Sequence, residues 1–201
     1  MKIAPSELII NSDGSIFHLH IKPEELADII VLVGDQGRVN MFTPYLTDIE
    51  FIHQSREFVS TTGKYNGKRI TILSTGIGTD NIDIVMNELD ALANINFETR
   101  EPKTDHRTLK ILRLGTCGAI QPDIPIGSFI FSHYSIGTDG LLNWYANPEE
   151  ITNIEMEEAF AKHIDKNPRW PMPYFAKASD VLIKKFEDCT VKGMTISAPG
   201  F

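Results

Sequence analysis

The 201-residue chain predicts an α/β fold in which a sheet is covered on both faces by helices. Three observations carry this. The strand candidates are near-continuous apolar runs rather than alternating ones, the pattern of strands buried on both sides. A helix with a single apolar stripe separates two of them. Three of the runs also stop abruptly at glycine-containing turns, and in open α/β sheets ligands bind beyond the carboxyl ends of strands, where such turns meet.

Taken in order, Asp28-Ile29-Ile30-Val31-Leu32-Val33 is the strongest strand signal, ending at Gly34-Asp35, with a helix expected to begin near Arg38. Arg69 to Ser74 is a second strand, halted by Thr75-Gly76-Ile77-Gly78. A helix is predicted from about Asp80 to Ala93, because Ile82, Val85, Met86, Leu89 and Ala93 fall on one stripe. Thr79 or Asp80 is placed to cap its first turn. The polar stretch Asn96 to Asp105, with Pro102, reads as a surface loop. Lys110 to Leu114 is a third strand, halted by Gly115-Thr116-Cys117-Gly118. Ser128 to Ser132 and Val191 to Ser197 are further strands, and Glu155 to Ile164 and Ser179 to Phe186 short helices.

Composition narrows the function. The length suits one α/β domain or two small ones, and 42% apolar with 23% charged residues is ordinary for a globular chain. A net charge of -8, with 19 Lys and Arg in no long basic block, disfavours nucleic-acid binding while leaving room for a local cationic pocket. No apolar run approaches the roughly 20 residues that span a bilayer, so no membrane association is expected. The N-terminus lacks the pattern of a secretory leader, and a cytoplasmic address is expected from two cysteines that need form no disulfide. Cys117 and Cys189 lack metal-ligand spacing and are expected to be buried, reduced thiols. The histidines are scattered, and neither a dinucleotide fingerprint, a nucleophile elbow nor a Walker loop is present.

What remains is a small-anion pocket. In Gly34-Asp35-Gln36-Gly37-Arg38 two glycines permit close backbone approach, free N–H groups would face an anion, and Arg38 adds a forked donor that matches phosphate oxygens. The alternative is a tight turn with a solvated arginine. Arg113 interrupts an otherwise apolar strand, where a buried guanidinium requires a carboxylate or phosphate. A structural ion pair explains it equally well. Thr116 adds a hydroxyl three residues on, and Arg56 is a third cationic candidate whose alternative is a surface salt bridge.

Taken together these segments resemble the nucleoside phosphorylase family, most closely its uridine phosphorylase branch. The resemblance rests on Ile16-Phe17-His18-Leu19, on Val33 to Val39 as a Gly-Asp-x-x-Arg-Val loop, and on Arg56-Glu57-Phe58. Ser74-Thr75-Gly76-Ile77-Gly78, the run Leu112 to Pro122, and Asp139-Gly140 complete it, in order from about His18 to Phe201. It implies a three-layer α/β/α sandwich with a central mixed sheet, phosphorylase/hydrolase-like. Residues 1–201 are then expected to form a single domain lacking its C-terminal part, because the family continues past the position of Phe201 into segments that read the base and hold the ribose.

The resemblance also implies roles. Gly34, Arg38, Arg113 and Thr116 would bind inorganic phosphate as co-substrate, with Arg56 reaching the phosphate of a neighbouring subunit. His18 would cross the same interface to the ribose 5′-hydroxyl. Thr116, Cys117, Gly118 and Phe201 would line the nucleoside, although Cys117 stands where the branch usually has Thr. Glu57, Ile77 and Asn81 would correspond to a monovalent-cation (K+) site, with Asn81 where Ser is usual. No protein nucleophile or base is identified and no other cofactor is implied. The implied activity is phosphorolysis of a nucleoside, a pyrimidine nucleoside such as uridine, by a homodimer or a hexamer of three dimers. The alternatives are a non-catalytic phosphate- or nucleoside-binding or assembly member, and a nucleosidase.

Overall fold

The computed structural model describes residues 2–200, and the chain falls into two compact units that divide between Thr116 and Cys117. Each unit is described by itself.

The first unit contains β1 (Ile29–Val33), α1 (Gln36–Phe42), β2 (Thr47–Ser55), β3 (Phe58–Tyr65) and β4 (Lys68–Ser74). It continues with α2 (Thr79–Asn94), a small β5 (Ile95–Asn96) and β6 (Glu101–Pro102) hairpin, and β7 (Lys110–Leu114). Its main sheet has the order β2-β3-β4-β1-β7, with β4, β1 and β7 parallel and β2, β3 and β4 antiparallel, so the sheet is mixed. β1 is buried on both faces, as its apolar run requires. Ile30 and Leu32 pack with Leu73, Phe58 and the α2 residues Val85, Leu89 and Leu92, whereas Val31 and Val33 pack with Ile72, Val59 and the α1 residue Val39. Helices therefore cover both faces of this sheet, the layering expected from sequence. Burying one of these leucines contributes about 2 kcal/mol from area alone.

The predicted boundaries hold for β7, and for β1, β4 and α2 to within a residue. The capping expectation for α2 does not: Gly78 is its N-cap and no side chain caps it. The stripe is also rotated, with Leu92 buried and Met86 exposed, and Ile16 and Leu19 of the N-terminal segment join Val85, Leu89 and Leu92 in one core cluster. The hairpin β2–β3 escaped the sequence reading. β2 is a largely exposed edge strand and β3 is rich in buried Ser and Thr, so neither shows an apolar run. Ser74 Oγ accepts from Val59 N at 2.7 Å and Thr71 Oγ1 from Ala27 N at 3.0 Å, so these buried hydroxyls satisfy backbone groups.

The second unit contains β8 (Ile130–Gly137), α3 (Ile154–His163), β9 (Tyr174–Lys177), α4 (Asp180–Phe186) and β10 (Val191–Ser197). Its sheet has the order β10-β8-β9, with β8 parallel to β10 and antiparallel to β9. Ile136 and Phe175 are buried, and Phe160 meets Phe175 edge-on with centroids 5.6 Å apart. The Tyr174 hydroxyl donates to the Asp139 carboxylate at 3.0 Å; burial and then that carboxylate push the phenol well above its ordinary range. Both cysteines are free and exposed, which corrects the expectation of buried thiols. Cys117 follows the end of β7 and Cys189 follows α4, each in a loop rather than in a strand.

Candidate functional site

The candidate site lies at the carboxyl ends of the three parallel strands of the first unit. β1 sits between β4 and β7 in a register that pairs Val33 with both Ser74 and Leu114. The three strands therefore end level, and Gly34, Thr75-Gly76 and Gly115-Thr116 emerge side by side. Thr75 N donates to Val33 O at 2.8 Å, which ties the end of β4 to the end of β1.

Arg113, opposite Leu32 in the ladder, folds its guanidinium over this edge. A Cβ built on Gly34 would lie 3.7 Å from Arg113 Nη2, and one on Gly115 would lie 2.7 Å from Nη1. The two glycines are the space in which the guanidinium sits. Burial, however, is not the reason to suspect Arg113. β7 is an edge strand of the sheet and both Arg113 and Leu114 are exposed, so the expectation of a guanidinium trapped in a doubly covered strand is corrected.

Arg38 is the third residue of α1, half-buried on the turn that leaves β1. Here too the local geometry differs from expectation. Asp35 caps the helix, its Oδ1 accepting from Gly37 N at 2.7 Å, and Arg38 N donates to Asp35 O at 3.1 Å. Those two N–H groups are already satisfied within the turn and are not free to face an anion. Thr116, exposed, closes the first unit.

The arginines of this unit divide sharply. Arg107 bonds the Asp28 carboxylate at 2.7 Å and the Leu26 carbonyl at 2.9 Å. Arg69 bonds Glu50 at 2.8 Å and the carbonyls of Glu24, Glu25 and Leu26, and Arg100 bonds the Leu8 carbonyl. Among the described residues, Arg38, Arg56 and Arg113 have no ion pair. An unpaired guanidinium over glycine-lined strand ends, as Arg113 provides, is what an oxyanion needs.

Arg56 and His18 form a second group. Arg56 occupies the two-residue turn between β2 and β3 in the left-handed region (φ 53°), and its carbonyl accepts from Gln36 Nε2 at 2.6 Å. Its guanidinium lies 5.7 Å from the centre of the Phe17 ring, which meets the His18 ring edge-on at 4.7 Å. The two residues assigned to a neighbouring subunit thus share one patch of surface, with Phe17 between them. Sequence reading passed over Glu88, whose carboxylate accepts from His18 N, Leu19 N and His18 Nδ1. The signal was a carboxylate next to Leu89 on the inward side of an amphipathic helix. A cleft of about 260 Å³ beside it is lined by Leu8, Ile16, Phe17, His18, Glu88 and Ile95, and includes none of the strand-end residues.

Glu57 and Asn81 flank Gly76, where a Cβ would lie 2.8 Å from Glu57 Cγ and 2.6 Å from Asn81 Nδ2. Asn81 Nδ2 donates to the Ile77 carbonyl at 3.2 Å. A hard cation needs oxygen ligands. Glu57 and the Ile77 carbonyl are oxygen donors of that kind, and the carbonyl keeps a second lone pair beside its bond from Asn81. Among the described residues no group of three or more His, Cys, Asp and Glu could hold a metal ion. Cys117 and Gly118 are exposed in the second unit, and Phe201 lies outside the described residues.

The model of the phosphorylase superfamily matches residues 28–201. The chain belongs to this superfamily. A crystal structure of a Trypanosoma brucei nucleoside phosphorylase that shows uridine phosphorylase activity aligns with TM-score 0.82 at 30% identity, covering 96% of this chain and 69% of that one. Uridine phosphorylase of Thermococcus kodakarensis is 29% identical over 160 residues, 80% of this chain and 53% of the relative. A DeoD-type purine nucleoside phosphorylase of Alkaliphilus metalliredigens is 33% identical over 127 residues, 63% of this chain and 48% of the relative. This member of the phosphorylase superfamily spans about half the length of the curated relatives it matches. Its fold is the mixed α/β fold of nucleoside phosphorylases, with a central mixed sheet. No helix among the described residues is long and apolar enough to cross a membrane.

Proposed function

We propose that the whole protein is a nucleoside phosphorylase acting on a pyrimidine nucleoside such as uridine, with inorganic phosphate bound by Gly34, Arg38, Arg113 and Thr116. The observation that carries this reading is the pair of unpaired guanidinium groups, Arg38 and Arg113, at the level carboxyl ends of β1 and β7. Phosphate held there is positioned for attack on the anomeric carbon. An oxygen of phosphate forms a bond to C1′ as the bond from C1′ to the base nitrogen breaks, and the departing base takes the electron pair and then a proton. The transition state is oxocarbenium-like, so the bound phosphate both attacks and offsets the developing positive charge. No side-chain nucleophile is required, in keeping with a sequence that offers none. A pyrimidine substrate is favoured by the uridine phosphorylases among the relatives, although purine nucleoside phosphorylases also match.

Arg56 and His18 serve the neighbouring subunit's site in a homodimer, or in a hexamer built from dimers. Their shared surface patch supports this, because two residues that act on one neighbouring site must project together. The protein works in the cytoplasm with inorganic phosphate as its co-substrate. The deciding assay incubates the full-length protein with uridine, thymidine and inosine, with and without phosphate. Phosphate-dependent release of base and pentose 1-phosphate is expected, fastest with the pyrimidine nucleosides. Equal release in phosphate-free buffer would replace this reading with a nucleosidase, and tight phosphate binding without turnover would leave a non-catalytic binding member.

A further inference from the structure

We infer that Glu88 is the positioning residue for His18, fixing the imidazole with Nδ1 toward α2 and Nε2 outward to meet a hydroxyl of the sugar. The inference rests on the proposed function, and specifically on His18 meeting the ribose 5′-hydroxyl.

His18 belongs to a turn, Phe17 to Leu19, that lies in no strand or helix and is closed by a bond from His20 N to Ile16 O at 3.0 Å. Such a segment cannot by itself hold a ring in one orientation. Glu88 supplies the missing constraint from a 16-residue helix. Its Oε1 accepts from His18 N at 3.0 Å and lies 2.7 Å from His18 Nδ1, while Oε2 accepts from Leu19 N at 2.9 Å. One carboxylate thus fixes both the backbone and the ring of the same residue. The carboxylate is well placed for this. It sits beside the buried Leu89, and its side chain is only 12% exposed, so water competes weakly for its lone pairs.

The ring is held from two further sides. Phe17 meets it edge-on at 4.7 Å between centroids, and Phe58, buried in the core, does so at 6.4 Å. With Nδ1 hydrogen-bonded to Glu88, Nε2 is the nitrogen left to meet a ligand, and the side chain remains 26% exposed. A carboxylate on one imidazole nitrogen that orients the other toward a reacting partner is a general device for fixing tautomer and direction. The ligand chemistry it suits is a hydroxyl, which can donate to a bare Nε2 or accept from a protonated one.

The test joins a spectroscopic readout to kinetics in the full-length protein. Nitrogen-15 NMR of the His18 ring should place a hydrogen on Nδ1 in the wild type, and E88Q, which keeps size and one acceptor oxygen, should perturb that resonance. In phosphorolysis assays E88Q should lower kcat/KM for uridine about tenfold, the loss typical when a partner orienting a functional imidazole is removed. It should leave 5′-deoxyuridine nearly unchanged, and in an H18A background it should cause no further loss on uridine. Equal losses on both nucleosides, or a loss that persists in H18A, would show Glu88 to be only a clamp for the backbone and would overturn the inference. So would a wild-type ring with hydrogen on Nε2 alone. If the wild type fails to cleave any nucleoside, the proposed function falls, and the NMR arm still decides whether Glu88 fixes the ring.

Discussion

The two ends of the parallel strands β4, β1 and β7 use the same residue type for opposite purposes. At the amino ends, Arg69 and Arg107 spend their donors on the carbonyls of residues 23–26 and on Glu50 and Asp28. At the carboxyl ends, Arg38 and Arg113 have no ion pair among the described residues, and glycines rather than carboxylates surround Arg113. An arginine whose donors are filled stabilises the fold, and one whose donors are left open can bind an anion. The two ends are therefore separable by mutation.

The largest separation is expected from Arg113→Ala. Losing a forked, charged donor pair should weaken phosphate by about 3 kcal/mol, roughly a hundredfold in Kd by calorimetry. The melting temperature should barely change, because an exposed, unpaired side chain contributes little to folding. Unchanged phosphate affinity in this variant would remove Arg113 from the site. The mirror-image result is expected from Arg107→Ala. Its bonds to Asp28 and to the Leu26 carbonyl anchor the segment leading into β1, and their loss should cost about 2 kcal/mol of unfolding free energy in urea titrations. The Asp28 pair is partly exposed, so most of this cost should come from the lost bonds to the Leu26 and Pro23 carbonyls rather than from the charge pair, although Leu26 keeps its bond from Arg69 Nη1. Phosphate affinity should stay at the wild-type value. A variant that lost both properties together would mean that the two ends are coupled and the comparison false.

How far the sequence revealed this follows from what each residue's signal depends on. β1 was legible because its apolar run is a local consequence of burial on both faces, and Gly34 because a strand must end before a turn. Arg38 and Arg56 show as cations beside turns, His18 carries a signal only through the family motif, and in the fold Arg56 and His18 share one patch. Arg113 was singled out for a reason that did not hold. It interrupts an apolar run, yet the strand lies at the sheet edge, a fact of strand order that periodicity cannot carry. Glu88 was invisible for a related reason, since its partner lies 70 residues away in sequence. The capping role of Asp35 is not legible in a Gly-rich turn, because which N–H groups are free depends on how the Asp35 side chain folds back.

The finest probe of the contrast is Gly115→Ala. A methyl group at this position would stand 2.7 Å from Arg113 Nη1, closer than real contacts allow, and the next nearest atom is Arg113 Cζ at 3.7 Å. What must give way is the tip of a flexible side chain and not the backbone. Gly115 is also absent from the positions with positive φ, so alanine meets no backbone strain there. The substitution should therefore leave stability within about 0.5 kcal/mol of wild type while pushing the guanidinium off its place over Gly34. Disrupting one of its two donor contacts should weaken phosphate by about 1.4 kcal/mol, close to tenfold, a smaller loss than removing the arginine. In the Arg113→Ala background the same methyl should have no effect on phosphate, since nothing is left for it to displace. A residual effect there would mean that Gly115 acts through its own backbone approach to the anion, and would shift part of the site from the arginine to the turn.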